Sequence, residues 1–94
     1  MRYRVNGVSM ISKPAAQGSV VIGRMPEAHI FIPDDARVSS RHATITPLPD
    51  GTFRLTDHSS NGTWVGNARI TSTVITNATE FRVGSTLLRI DGRV

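Results

Sequence analysis

The chain has no cysteine. Disulfide frameworks, thiolate metal sites and cysteine nucleophiles are therefore excluded. It has one lysine, Lys13, and only five aromatic residues: Tyr3, Phe31, Phe53, Trp64 and Phe81. No apolar run approaches the length needed to span a membrane as a helix. The N-terminal stretch Met1–Ile11 is interrupted by Arg2, Arg4 and Asn6, so it lacks the apolar core of a signal peptide. A cytoplasmic location, free or as the cytoplasmic part of a membrane protein, is the expectation, with no direct membrane insertion. The tripeptides Asn61-Gly62-Thr63 and Asn77-Ala78-Thr79 fit the glycosylation pattern, but without an export signal they read as chance. No Gly-x-Ser-x-Gly elbow, phosphate loop or histidine-pair metal motif is present. No enzyme, no cofactor and no metal site are expected.

Helical periodicity is missing as well. No segment keeps an apolar period of 3.6 over ten residues. Short β-branched runs divided by turn residues take its place, which predicts an all-β chain. The expected strands are Arg2–Val5, Val8–Ile11, Val20–Gly23, Ile30–Ile32, His42–Thr46, Thr52–Asp57, Thr63–Val65, Thr73–Ile75, Thr79–Val83 and Thr86–Asp91. Asn6-Gly7 reads as a two-residue hairpin turn. Asp50-Gly51 and Gly84-Ser85 read as further turns, and Asn61-Gly62 as a tight hairpin. Alternation puts Ala43 with Ile45, and Phe53 with Leu55, on buried faces. Strands at this spacing suggest a sandwich or barrel. At 94 residues the chain is expected to be one domain, 1–94, monomeric or part of a larger multidomain protein.

Ten arginines and Lys13 stand against seven acidic residues, for a net charge of +4. A basic balance suits an anionic partner. The arginine fork, with its parallel donors, suits a fixed oxyanion. The longest strand-free stretch, Pro33–Arg41, holds two aspartates, two arginines and two serines. Loops of that kind on a rigid scaffold are where binding residues usually sit.

Three signatures occur in order: Gly23-Arg24, Ser39-Ser40-Arg41-His42, and Ser59-Ser60-Asn61-Gly62-Thr63. Each alone is weak. Gly23 permits a sharp strand exit, Arg24 could be a plain surface arginine, and Ser39 could be a turn serine bonding its own backbone. Taken as extended chain, Ser39 and His42 face opposite sides and cannot pair as nucleophile and base.

As an ordered set, the three signatures and their local text resemble the forkhead-associated (FHA) family, most closely over residues 20–70. The resemblance implies a β-sandwich of two mostly antiparallel twisted sheets, with binding loops at one end. It implies a non-catalytic module that binds a phosphothreonine-containing protein or peptide in a Ser/Thr protein kinase pathway. Arg24, Ser39 and Ser60 would hold the phosphate; apart from the resemblance, the Ser39 hydroxyl and the backbone amides beside it can donate to an oxyanion. Asn61 would pair with the peptide backbone, and Ser40 and Arg37 would read flanking residues. Gly23, His42 and Gly62 would support the site, His42 by bracing the loops through hydrogen bonds.

The sequence departs from the family pattern at Ser40, where arginine or asparagine is frequent, and at His29, often aspartate. Gly66-Asn67 also reverses the usual Asn-Gly order. The alternative reading is a small nucleic-acid-binding β-barrel. It calls for several exposed aromatics as stacking platforms, and this chain has few to offer.

Overall fold

The computed structural model describes residues 1–15 and 18–92 and contains eleven strands, with no helix among the described residues. They are β1 (Arg2–Val5), β2 (Val8–Ile11), β3 (Val20–Gly23), β4 (Ile30–Phe31), β5 (Ala43–Pro47), β6 (Phe53–Asp57), β7 (Thr63–Val65), β8 (Ala68–Ile70), β9 (Ser72–Ile75), β10 (Glu80–Val83) and β11 (Thr86–Gly92). One sheet runs β2-β1-β11-β10-β7-β8 and the other β4-β3-β5-β6-β9. Every pairing is antiparallel except β3 with β4. This is the sandwich that the resemblance implies, and one of the two architectures that the strand spacing suggests.

The two inner faces make the core. From the five-stranded sheet come Ile22, Ile30, Ala43, Ile45, Phe53, Leu55 and Ile75; from the six-stranded sheet come Tyr3, Phe81, Val83, Leu88 and Ile90. Period-two alternation puts every second side chain inward. Burying each large aliphatic or aromatic one contributes about 1.5–3 kcal/mol. Val38 drops into this core from the Ile32–His42 loop and is 1% exposed, so the loop is pinned at its middle.

Four local expectations are corrected, beside one-residue shifts at the end of β5, the starts of β6, β9 and β10 and the end of β11. The β5 strand begins at Ala43, because residues 40–41 turn and are not extended. β4 stops at Phe31, one residue early. Ala68–Ile70 forms an additional edge strand, joined to β7 by a turn at Gly66, whose φ of 59° is left-handed. Glycine at the first central position of a two-residue turn is the type II′ requirement. Asn61-Gly62 is not a hairpin: β6 and β7 lie in different sheets, and the chain crosses between them there. Only Gly62 of that pair has positive φ.

The Asn6-Gly7 turn forms as expected, with φ of 47° and 83°. His29 places its Nδ1 as acceptor for the Val21 amide at 2.9 Å, a role a carboxylate oxygen could also serve.

Candidate functional site

Three loops meet at one end of the sandwich: the β3 exit, the β4–β5 loop and the β6–β7 crossover. Gly23 makes the first contact possible. A Cβ built on it would lie 2.0 Å from the Ser40 carbonyl oxygen and 2.9 Å from the Ser40 carbonyl carbon. Only glycine lets the two backbones close this far. Beyond Gly23 they stay zipped: Arg24 N–H donates to Ser39 O at 3.1 Å and Met25 N–H to Ser40 O at 3.3 Å. The Arg24 backbone is therefore fixed beside Ser39. Its side chain is exposed, and its guanidinium makes no hydrogen bond or ion pair with any described residue.

Ser39 joins the third loop. Its Oγ accepts the Ser60 amide at 3.3 Å. Because that lone pair is engaged from inside, the hydroxyl proton is free to turn outward as a donor. Asn61 ties the crossover to the β4–β5 loop, its Nδ2 donating to Arg37 O at 3.0 Å. One amide hydrogen and the Oδ1 lone pairs remain for a ligand. Ser40, Arg41, Ser60 and Asn61 are exposed around Arg24 and Ser39.

His42 sits beneath the rim at 0% exposure. Its Nδ1 accepts the Ser39 amide at 3.0 Å, which requires that nitrogen to be unprotonated. The ring proton is then on Nε2, donating to Gly62 O at 2.9 Å. Burial pushes the His42 pKa below its ordinary value, although the Gly62 carbonyl and the nearby Asp57 and Asp35 charges pull the other way. Ser39 and His42 thus meet across a turn, contrary to the expectation for extended chain. They still form no nucleophile–base pair, since both ring nitrogens are occupied by backbone.

Of the backbone amides beside Ser39, that of Ser40 donates to no described residue and stays open to a ligand. The Ser39 amide is bound to His42, and the Ser60 amide to Ser39 Oγ. Donors at the rim are the Arg24 guanidinium, the Ser39 and Ser60 hydroxyls, the Asn61 amide and the Ser40 backbone N–H.

Two carboxylates hold the loops from below. Asp57 Oδ1 accepts Ser59 N–H at 3.1 Å, Ser59 Oγ at 2.6 Å and Thr63 Oγ1 at 2.8 Å. Ser59 Oγ in turn accepts Gly62 N–H at 2.7 Å. This cluster sets the path of residues 59–63. Asp35 Oδ2 accepts Ser85 N–H at 2.7 Å and Thr86 Oγ1 at 2.8 Å, while Oδ1 accepts Arg37 N–H at 3.0 Å. Asp35 thereby locks the β4–β5 loop to the β10–β11 turn. Burial works to raise both pKa values, but the converging donors outweigh it and hold both carboxyls below the ordinary value. Asp35 lies outside the family-like stretches, Asp57 at the start of one (Asp57–Val65), and the partners of both become visible only in three dimensions.

The result is an open rim of cationic and neutral donors whose supporting carboxylates are turned inward. That chemistry suits a tetrahedral oxyanion at the end of a flexible ligand. A cavity of about 890 Å³ adjoins the same loop, lined in part by Met10, Phe31, Pro33 and Arg37, but it includes none of Arg24, Ser39, Ser60 or Asn61. No cluster of histidine and carboxylate groups able to hold a metal exists among the described residues. The aromatic residues do not form a stacking platform. Tyr3, Phe53 and Phe81 are buried, Lys13 covers Phe31, and Arg82 covers Trp64.

The FHA domain family model matches residues 20–87, which spans all three loops. An ABC transporter ATP-binding/permease protein of Mycobacterium tuberculosis is 35% identical over 68 residues, 72% of this chain and 8% of the transporter. The oxoglutarate dehydrogenase inhibitor of Corynebacterium diphtheriae is 41% identical over 63 residues, 66% of this chain and 43% of the inhibitor. The chain thus spans less than half the length of either relative. Among solved structures, a domain studied for phosphothreonine-dependent FHA domain interactions superposes with a TM-score of 0.74 at 26% identity, covering 95% of this chain and 94% of that one.

Proposed function

Because the chain belongs to the FHA domain family, we propose that residues 1–94 form one such domain, a non-catalytic module that binds phosphothreonine in a partner protein. The observation that carries this reading is the Arg24–Ser39–Ser60 junction. An unpaired guanidinium is fixed by its backbone to a serine whose hydroxyl is fixed to the next loop.

In this reading the Arg24 fork, Ser39 Oγ and Ser60 Oγ donate to the phosphate oxygens. A phosphate carries about −1.5 to −2 charge and three strong acceptors. Hydrogen bonds to a charged group are worth about 1.5–3 kcal/mol each, so three supply about 5–9 kcal/mol gross. Micromolar affinity needs about 8 kcal/mol net of ordering and desolvation. The peptide backbone must therefore contribute, and Asn61, with Oδ1 and one N–H unengaged, is placed to bind it. Ser40 and the exposed Arg37 border the same rim and would read flanking residues, Arg37 favouring an acidic one.

Threonine over serine through one buried methyl group is worth only about 0.8 kcal/mol, about fourfold. A sharper preference would need a fitted methyl pocket.

The partner is then a protein phosphorylated in a Ser/Thr kinase pathway. The domain would work on the cytoplasmic side, where ATP is available, as a monomeric unit or inside a larger protein such as a transporter. The inward-facing aromatics give the nucleic-acid reading no support. An oriented phosphothreonine peptide library, run beside its unphosphorylated twin, tests the proposal. Retention that depends on phosphate supports it, and equal retention of the two libraries contradicts it.

A further inference from the structure

The outer face of the six-stranded sheet carries an arginine field that the rim does not use. Strand alternation turns Arg2 and Arg4 of β1, Arg69 of β8, Arg82 of β10 and Arg89 of β11 outward, against the acidic residues Glu80 and Asp91. Asp91 is shared between Arg4 and Arg89, at 3.1 Å from each Nε. Arg2 has no ion pair among the described residues, and neither have Arg69 and Arg82 toward the other end of the sheet, where Glu80 is the one acidic residue on the face. There Arg82 pairs across the strands with Trp64, and Trp64 with Arg69, giving one row. The Arg82 guanidinium stacks over the Trp64 ring at 5.2 Å and donates to Gly84 O at 2.7 Å. Arg69 is exposed and meets no carboxylate among the described residues. Two arginines stand two strands apart, about 10 Å, on either side of one half-buried indole.

This row touches the rim. A Cβ built on Gly62 would lie 2.8 Å from Arg69 Nε and 3.0 Å from Trp64 Nε1. The arginine row thus begins where the β6–β7 crossover ends. We propose that the Arg69–Trp64–Arg82 row is a second binding surface, which takes an acidic segment of the partner polypeptide as it leaves the rim. That the segment belongs to the same polypeptide rests on the phosphopeptide reading; the anion-binding surface itself does not. The occupant follows from charge complementarity and from continuity with the rim. An acidic chain needs spaced guanidinium groups and no stacking surface. A single strand of nucleic acid needs several open aromatic faces, and here the lone indole is already covered by Arg82.

Trp64 is the only tryptophan, so its fluorescence and its indole NMR signal report on this row. The test titrates the chain with decaglutamate at low salt, beside decathymidylate as the nucleic-acid control. A saturable Trp64 response to decaglutamate, abolished by 0.5 M sodium chloride, is expected. The double variant Arg69→Gln/Arg82→Gln should bind decaglutamate at least about fivefold more weakly. The single variant Arg69→Gln, at an exposed position, should show a smaller loss and guards against misfolding of the double one.

Arg24→Ala should respond to decaglutamate as the wild type does, even though it loses phosphopeptide binding. A phosphothreonine peptide extended by six glutamates should bind the wild type more tightly than the unextended peptide, and the double variant should erase that gain. Absence of any response to decaglutamate, equal affinity in the double variant, or tighter binding of decathymidylate would each overturn the proposal. Failure of the phosphopeptide reading would show separately, as no phosphate-dependent binding while the decaglutamate response persists.

Discussion

The Ser39 amide donates to His42 Nδ1 at 3.0 Å, and this one bond settles the tautomer of a fully buried ring. The other ring nitrogen must then donate to Gly62 O. One imidazole thus spans the two loops that carry the rim, without reaching the rim itself.

Replacing His42 by alanine removes both bonds and leaves a cavity. Each unsatisfied buried partner costs about 1–3 kcal/mol. A loss of about 2–4 kcal/mol is expected, and about 4–8 °C of Tm per kcal/mol for a domain of this size. Thermal unfolding followed by circular dichroism should show a drop of more than about 10 °C, with peptide affinity falling in parallel. A His42→Ala protein of normal Tm that fails to bind would move the ring from a bracing role into direct contact with ligand.

The same geometry sets a pH dependence. With its folded pKa depressed by burial, His42 stays neutral in the native state below the value of about 6.5 at which the unfolded chain takes up a proton. The stability it contributes is complete above that pH and is lost as pH falls from there through the folded pKa. The urea midpoint should fall between pH 7 and pH 5, and this slope should be smaller in His42→Ala. Histidine NMR should show the neutral Nε2–H tautomer of His42 persisting to lower pH than in a free imidazole. A His42 ring that titrates like a free imidazole would contradict the account.

Gly23→Ala tests the closest backbone approach at the site. The new methyl would sit 2.0 Å from the Ser40 carbonyl oxygen, a backbone atom that cannot swing aside. Overpacking of this kind costs about 1–3 kcal/mol or more. The Arg24–Ser39 backbone bond should open, so binding should weaken further than the stability change explains. Chemical denaturation and peptide titration on the same protein separate the two effects, and a variant with wild-type values in both would refute the packing argument.

Much of this architecture is legible in the sequence because burial and period coincide. Ala43 and Ile45 alternate with threonines, and Phe53 and Leu55 with Arg54 and Thr56, so each strand declares its inner face. Ala68–Ile70 escapes that reading because an edge strand with exposed Ala68 and Arg69 carries no alternation. Asn61-Gly62 misleads for a different reason. Dipeptide preference is local, whereas the path of the crossover is set by Asp57 collecting Ser59 and Thr63.

Arg24, Ser39, Ser60 and Asn61 stand out through their ordered motifs and Arg37 through its place in the loop of Ser39, and hydrogen bonds join all five into one connected set. Asp35 could not be picked out in the same way. Its donors Ser85 and Thr86 are distant in sequence, and nothing near Asp35 signals them.

The central claim is that the Arg24 guanidinium, held at the rim and free of internal partners, is the principal phosphate donor. The direct measurement is calorimetric titration of wild type, Arg24→Ala and Arg24→Lys with one phosphothreonine peptide drawn from the library. Loss of the fork should weaken binding by about 2 kcal/mol or more, about thirtyfold, in the alanine variant. Lysine should recover only part of it, because a point charge replaces two parallel donors, and Tm should be unchanged in both. Wild-type affinity in a folded Arg24→Ala protein would contradict the account.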